Sequence, residues 1–261
     1  MIKEYFRGVW KDRYILLSLV NQDLQLKYKR SALGVAWAIL TPLGLVLIIG
    51  TVYSIIFSAD PREFIPMLFA GLNTWIFITA AADGGALSLL GAEGYLKQTT
   101  TNAQIFPLRT ALVSYANLLY SVLAFFAIYL FLSPESFGPI MLLSIPGLIV
   151  VFFFSLALAN LASVVNLNFR DYQPLQALVL QGLFYATPII FKTELLSSKG
   201  FAIVYEINPF YYILEAIRAP MLGNALPEPH VFAISIGVTV LLFVVSIFVF
   251  MKHKNAIVYK F

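Results

Sequence analysis

The chain contains long apolar stretches that almost lack charged residues, and this feature limits its fold more than any other. A helix that crosses a bilayer needs about 20 apolar residues, and in lipid only helices or closed barrels satisfy every backbone polar group. Barrel strands would appear as alternating segments of about ten residues, whereas these stretches are continuous. The sequence therefore predicts an all-α integral membrane protein with six transmembrane helices, at about 33–57, 64–82, 108–132, 140–165, 174–191 and 231–251.

The composition supports a lipid environment and excludes several kinds of chemistry. Only 11% of the 261 residues are charged, against about 25% in an ordinary soluble domain. The chain has no cysteine, which excludes disulfides and thiolate chemistry. Its two histidines, His230 and His253, are too few and too far apart to indicate a metal site. The N-terminal residues carry too many charges for a secretory leader, so we expect no cleavable signal peptide.

The basic residues are distributed unevenly around the six predicted spans. If the N-terminus lies in the cytoplasm, 13 of the 17 Lys and Arg residues fall on that side, while the acidic residues divide six against seven. Because Lys and Arg set membrane orientation, both termini are predicted to be cytoplasmic. The net charge of +4 follows from this bias and does not indicate a nucleic-acid partner.

The charge pattern divides the chain into three regions. Residues 1–31 form a cytoplasmic N-terminus, residues 32–251 hold the six spans, and residues 252–261 form a basic cytoplasmic tail. Within the N-terminus, apolar and aromatic residues at helical spacing predict an amphipathic helix lying in the membrane interface. These residues are Trp10, Tyr14, Leu17, Leu24 and Tyr28.

Two segments between the spans are long enough to have their own structure. Residues 83–107 form the longest cytoplasmic loop. Residues 192–230, on the outer side, are apolar and aromatic, which predicts short helices that re-enter the interface before the last span. Asn208-Pro209 is a suitable start for one of them, because Asn caps helices and Pro fits the first turn.

Several functional classes lack the residues that they require. No GxxxxGK[ST] phosphate-binding loop occurs, so any ATP hydrolysis is expected on another protein. An ion-coupled carrier would need an ionisable group within a span, but the only charge in the six segments, Arg109, lies at a cytoplasmic end. An enzyme would need clustered acids or bases, and Glu215 and Arg218, spaced i,i+3, are more typical of a local ion pair. We expect no catalytic residue, cofactor or metal on this chain.

Aromatic residues make up 15% of the chain and cluster near the outer ends of the predicted spans. They are consistent with an ordinary interfacial belt or with a surface on which sugar rings stack while their hydroxyls stay wet. Polar residues inside spans, such as Asn73 and Asn160, are consistent with bonds between helices or with a polar path. The candidates for a channel lining are Tyr53, Phe57, Trp75, Phe77 and Tyr185.

Short motifs follow one another along residues 26–223. The first has Ser31, Leu33, Gly34, Trp37 and Pro42 in a Ser-x-Leu-Gly-x-x-Trp-x-x-x-x-Pro pattern after a basic stretch. The others are Phe106-Pro107, Asn168-Phe-Arg170-Asp171, Thr187-Pro188, Asn208-Pro209-Phe210 and Glu215-Ala-Ile-Arg218. In this order and spacing the motifs resemble those of the permeases of type-2 ABC exporters for O-antigen, capsule and teichoic-acid polysaccharides.

This resemblance implies a bacterial inner-membrane complex. Two copies of the chain would form a channel as a homodimer, and two separate ATP-binding cassette subunits would hold ATP and Mg²⁺. The substrate would be an undecaprenyl-pyrophosphate-linked glycan, with O-antigen the favoured type. The alternative is a related type-2 exporter of drugs or lipids.

The resemblance also assigns roles to individual residues. Glu93, Tyr95, Leu96 and Lys97 would couple the permease to the ATPase, although the polar stretch 98–104 departs from the expected pattern and leaves the boundary of this helix open. Lys29 and Arg30 would meet the phosphate where the substrate enters. The periplasmic gate would comprise Asn208, Pro209, Phe210, Tyr211, Glu215 and Arg218.

Overall fold

A computed structural model describes residues 1–29, 31–132, 134, 137–223 and 228–260. This part of the chain is all-helical, as predicted, with no β-strand. Short 3₁₀ segments at Gly34–Ala36, Pro139–Leu143 and Lys254–Lys260 accompany the α-helices. The α-helices are α1 (Ile2–Lys11), α2 (Arg13–Tyr28), α3 (Trp37–Phe57), α4 (Pro61–Gly91), α5 (Glu93–Gln98), α6 (Ile105–Leu132), α7 (Ser144–Asn168), α8 (Tyr172–Ala186), α9 (Thr193–Ser197), α10 (Ile203–Glu206), α11 (Pro209–Met221) and α12 (Pro229–His253).

Within the described residues, five helical stretches are long and apolar enough to cross a membrane. They are Gly34–Phe57, Pro61–Gln98, Ile105–Leu130, Pro139–Asn168 and Pro229–Ile257. The predicted span at 174–191 corresponds to α8, which has 15 residues. At 1.5 Å per residue α8 is about 22 Å long, which is shorter than a hydrocarbon core of about 30 Å. The fold therefore has five clear candidate spans and one short helix where a sixth was predicted.

Helix α4 lies at the centre of the bundle. It begins at Asp60, whose side chain accepts a hydrogen bond from the Arg62 amide at 2.8 Å, and Pro61 occupies the first turn. Its 31 residues pack against α3, α6, α7, α8 and α11. Gly85 permits the close approach of α7, because a Cβ at this position would overlap Ala159. The helix continues to Gly91, so residues 83–91 of the predicted loop are helical.

Polar contacts show which helix ends lie together. At one end of the bundle, Glu4 pairs with Lys254 and Lys260 bonds to Asn168, so both chain ends lie near the end of α7. We call this end the terminal pole. At the opposite pole, the Tyr129 hydroxyl donates to the carbonyl of Leu222 at 3.0 Å. Since α8 begins directly after α7 and α12 returns to the terminal pole, the segment from α8 to α11 connects one pole to the other.

The N-terminal region contains two helices instead of the one predicted from Trp10 onward. Helix α1 begins at Ile2, and the helical conformation is interrupted at Asp12 before α2 begins. Tyr5 and Leu16 are buried in an apolar cluster at the terminal pole, whereas Trp10 and Tyr14 are exposed. The exposed aromatic residues lie on the surface that an interfacial helix would present to lipid head groups.

Candidate functional site

A groove of about 360 Å³ separates α4 from α8. From α4 it is lined by Trp75, Thr79 and Asp83, which lie four residues apart and so share one helix face. From α8 it is lined by Ala177, Leu180, Gln181 and Phe184, which recur at three and four residues. Each helix thus contributes one stripe of side chains, and together the stripes form an apolar wall with polar groups beside it.

The apolar wall is aromatic and the polar groups are uncharged except for one acid. The rings of Trp75 and Phe184 lie 5.8 Å apart. Gln176 donates from Nε2 to Asp83 Oδ1 at 3.1 Å, which links the two helices. Aromatic faces next to amide, hydroxyl and carboxylate groups suit a ligand with both CH faces and hydroxyls, such as a sugar ring. Among residues that the structure describes, no group of His, Asp or Glu could hold a metal ion.

The other predicted channel aromatics are distributed over several surfaces. Phe77 is buried against Tyr115, at 5.6 Å between ring centroids, on another face of α4. Tyr53 and Phe57 contact each other at 5.6 Å near the opposite pole. Tyr185 is 64% exposed on α8. The structure therefore brings only Trp75 into the groove.

The predicted gate residues lie on α11 or at its start, and two of them, Asn208 and Arg218, contact the Thr187-Pro188 motif. Asn208 is buried, caps α11 by accepting from the Phe210 amide at 3.0 Å, and donates to Thr187 Oγ1 at 2.8 Å. Arg218, 5% exposed, donates to the carbonyl of Pro188 at 2.6 Å and pairs with Glu215. Pro209 forms the first turn of α11.

Aromatic contacts complete this region. The Phe210 ring lies 5.4 Å from Trp75, so α11 and the groove share one aromatic cluster. Tyr211 packs against Tyr205 at 5.0 Å. Burial and, to a lesser degree, the Glu215 carboxylate raise the pKa of Tyr211 to about 12, so its phenol stays neutral. Sequence motifs that are 20 to 30 residues apart therefore meet where the residues after α8 contact α11.

The four predicted coupling residues lie in α5, a short helix at the terminal pole. Leu96 is buried in the apolar cluster of that pole, and the Tyr95 ring lies 5.8 Å from Phe106. Glu93 and Lys97 form an ion pair at 2.7 Å, and both side chains are about half exposed. Helix α5 is therefore anchored on one side and presents charge on the other.

The first motif forms the turn between α2 and α3. The Trp37 indole donates to Ser31 Oγ at 3.1 Å, and Gly34 has φ of +51°, which favours glycine. Leu33 and Lys29 are exposed. Pro42 lies inside α3. Arg30 lies outside the described residues.

The Arg170-Asp171 motif forms the turn between α7 and α8, where both residues are exposed. The bond that holds this turn involves Asn166, which the sequence reasoning missed. Its buried side chain donates to the carbonyl of Ala86 at 2.8 Å and accepts from the Gln173 amide at 3.2 Å. The signal that could have identified it is a polar residue that ends the apolar run just before the motif.

The terminal pole contains further polar links that sequence reasoning did not identify. Asp12, 6% exposed, accepts from the backbone and side-chain amides of Asn102 at 2.7 and 2.8 Å. Asp23 pairs with Arg109 through two bonds. Asn160, predicted as a possible bond between helices, does bond to the hydroxyl of Tyr5 on α1 at 3.1 Å.

Comparison with known proteins gives one family and several relatives. The sequence profile of the family described as "ABC-2 type transporter" matches residues 14–222. The O-antigen export system permease protein RfbA of Myxococcus xanthus is 26% identical, over 93% of this chain and 94% of its own length. The O-antigen export system permease protein RfbA of Klebsiella pneumoniae is 23% identical over 92% of each chain.

Proposed function

Because the chain belongs to the ABC-2 type transporter family, we propose that it is the channel-forming permease of an ATP-driven exporter of lipid-linked polysaccharide, of the O-antigen type. The observation that carries this proposal is the alignment with two permeases named for O-antigen export over more than nine-tenths of each chain. The chain would be a transport subunit, and its ATP and Mg²⁺ would be bound by a separate ATPase.

The proposal includes six membrane crossings, with both termini in the cytoplasm of a bacterial cell. The connectivity supports this, since α8 to α11 must connect the terminal pole to the opposite pole before α12 returns. The short helix α8 would cross together with the buried residues that follow it, and α9 to α11 would re-enter from the outer side. The terminal pole would face the cytoplasm because it carries most of the basic residues.

The terminal pole is also where the ATPase would bind. Helix α5 presents the half-exposed charges of Glu93 and Lys97 to a partner, while Leu96 fixes the helix to the bundle. The following loop is bonded to the junction between α1 and α2 through Asn102 and Asp12. A displacement of α5 on ATP binding would therefore be transmitted to α1 and to the start of α6.

The glycan would pass along the groove between α4 and α8 in a dimer of two copies. Helix α8 has an exposed apolar face that includes Leu178, Val179 and Tyr185. A second copy would cover this face and close the groove into a passage. Sugar rings would contact the aromatic wall while Asp83 and Gln181 bond to their hydroxyls. The undecaprenyl pyrophosphate would enter near Lys29 and Arg30.

Reconstitution tests the proposal directly. The chain and its partner ATPase are placed in proteoliposomes with lipid-linked O-polysaccharide, and ATP-dependent appearance of glycan on the far side is measured. Gln181→Leu should slow translocation about fivefold, because one hydrogen bond contributes about 1 kcal/mol. Gln25→Leu is the matched control, since Gln25 is exposed on α2 and does not line the groove.

The outcome also distinguishes the alternative substrate. If the ATPase activity responds to drugs or phospholipids and not to lipid-linked glycan, the chain is an exporter of those molecules instead. If glycan moves without any ATPase subunit, the proposed class of transporter is wrong.

A further inference from the structure

A second cavity, of about 330 Å³, lies between α3, α4 and α6. It borders a different face of α4 from the groove with α8, so the two spaces are separate. Its polar lining consists of hydroxyl and amide side chains from all three helices, and the exposed Lys27 of α2 lies at its rim. The side chains are Thr41, Asn73, Ser114, Asn117 and Ser121. The rest of the lining is apolar, so the cavity suits an occupant that has both polar and apolar parts.

Asn73 contributes to this lining a buried donor whose hydrogen bonding is incomplete. Its side chain is 5% exposed, and its Nδ2 has no hydrogen-bond acceptor within the described part of the chain. By contrast, Ser121 donates to the carbonyl of Ala38 at 3.0 Å. A buried donor without an acceptor is costly, and native proteins rarely keep one unless another molecule supplies the acceptor.

Lys27 reaches the cavity because α2 runs alongside the first turns of α6. Asp12, just before α2, accepts from Asn102, just before α6, and Asp23 of α2 accepts from Arg109 of α6 at 2.6 Å. The two helices therefore run in the same direction. One turn beyond Asp23, Lys27 therefore lies beside Ser114 and Asn117, further along α6 than Arg109. The fold thus brings an ammonium group to a cavity between apolar helices.

We infer that this cavity binds the phosphate-bearing head of an anionic membrane lipid. Lys27 would contact the phosphate as a point charge, and the amide of Asn73 would donate to a phosphate or ester oxygen that lies deeper. Basic pockets between membrane helices on the cytoplasmic side are known to bind such head groups. The cavity volume is suited to the head and glycerol region, while the acyl chains would remain in the bilayer. The inference does not depend on which substrate is exported.

Native mass spectrometry of the purified full-length chain tests this inference. The protein is released from micelles containing equal amounts of phosphatidylglycerol and phosphatidylcholine, and the lipid that remains bound is identified. We expect phosphatidylglycerol to be retained in preference. Lys27→Gln and Asn73→Leu should each weaken that retention by roughly tenfold, the effect of losing one bond to a charged acceptor.

Two matched controls separate this effect from general changes in charge or packing. Lys252→Gln removes a charge from an exposed position at the terminal pole. Thr239→Val removes a different buried polar group that has no partner in the described residues, on α12. Both controls should retain phosphatidylglycerol like the unaltered chain. Because Lys27 is exposed, its variant is expected to fold even if Asn73→Leu does not.

Competition identifies the source of the phosphate. If undecaprenyl phosphate displaces the bound phosphatidylglycerol, the cavity serves the lipid carrier of the glycan; if it does not, the cavity serves a phospholipid of the bilayer. Equal retention of the two phospholipids by the unaltered chain would overturn the inference. So would retention of phosphatidylglycerol that Lys27→Gln and a correctly folded Asn73→Leu leave unchanged.

Discussion

Removing the carboxylate of Asp12 should loosen the loop that follows α5 from the N-terminal helices. Asp12 is 6% exposed, and one of its oxygens accepts two hydrogen bonds, from the backbone amide of Asn102 at 2.7 Å and from its side-chain amide at 2.8 Å. A hydrogen bond to a charged group contributes about 1.5–3 kcal/mol. Since both bonds share one oxygen and Asn102 regains water when released, we take about 2 kcal/mol for the pair.

That energy corresponds to a roughly thirtyfold change in the local opening equilibrium. Hydrogen–deuterium exchange of the Asn102 amide measures this opening directly. In Asp12→Ala the Asn102 amide should therefore exchange about thirtyfold faster, while amides in the middle of α4 keep their protection. Lys11→Ala is the matched control, because Lys11 is exposed and adjacent in sequence.

The same variant has a functional consequence under the proposed mechanism. If the loop transmits the movement of α5 to α1, the reconstituted complex with Asp12→Ala should hydrolyse ATP but export less glycan per ATP. Exchange of the Asn102 amide that changes by less than threefold, or that changes equally in Lys11→Ala, would refute the reasoning about this link.

Three further predictions concern other parts of the fold. Reversal of charge at Glu93 or Lys97 should leave the melting temperature almost unchanged, because a half-exposed ion pair contributes at most about 0.5 kcal/mol to stability. It should nevertheless uncouple ATP hydrolysis from export. Normal export by both variants would contradict the role of α5 in coupling. Gly147→Ala should destabilise the protein by about 1–3 kcal/mol in thermal melting, because the new Cβ would overlap the α11 backbone, whereas Gly91→Ala meets nothing within 4 Å and should be neutral. Arg218→Met should lower the free energy of unfolding by about 3–5 kcal/mol, because it leaves the Glu215 carboxylate unpaired. The folded yield in detergent measures this loss, and a yield equal to that of the unaltered chain would show that the pair is dispensable.

Patterns local to the sequence determined the class of the fold and several of its boundaries. Long uncharged stretches can bury their backbone polar groups in lipid only as helices, so the all-α membrane fold follows from them. Asn208-Pro209 predicted the start of α11, because capping depends on residues that are adjacent in the chain. The turn motif is likewise local, since Ser31 and Trp37 are six residues apart and bond to each other.

Only the tertiary structure decided which faces of the helices are buried and which polar residues meet. A helix that is apolar all around gives no periodic signal for its buried side, so Trp75 in the groove, Phe77 in the core and the exposed Tyr185 could not be told apart. Asp83 and Gln176 are 93 residues apart, and Tyr5 and Asn160 are 155 apart. Such contacts depend on how the whole chain packs, because each residue alone satisfies only the local pattern of its own helix.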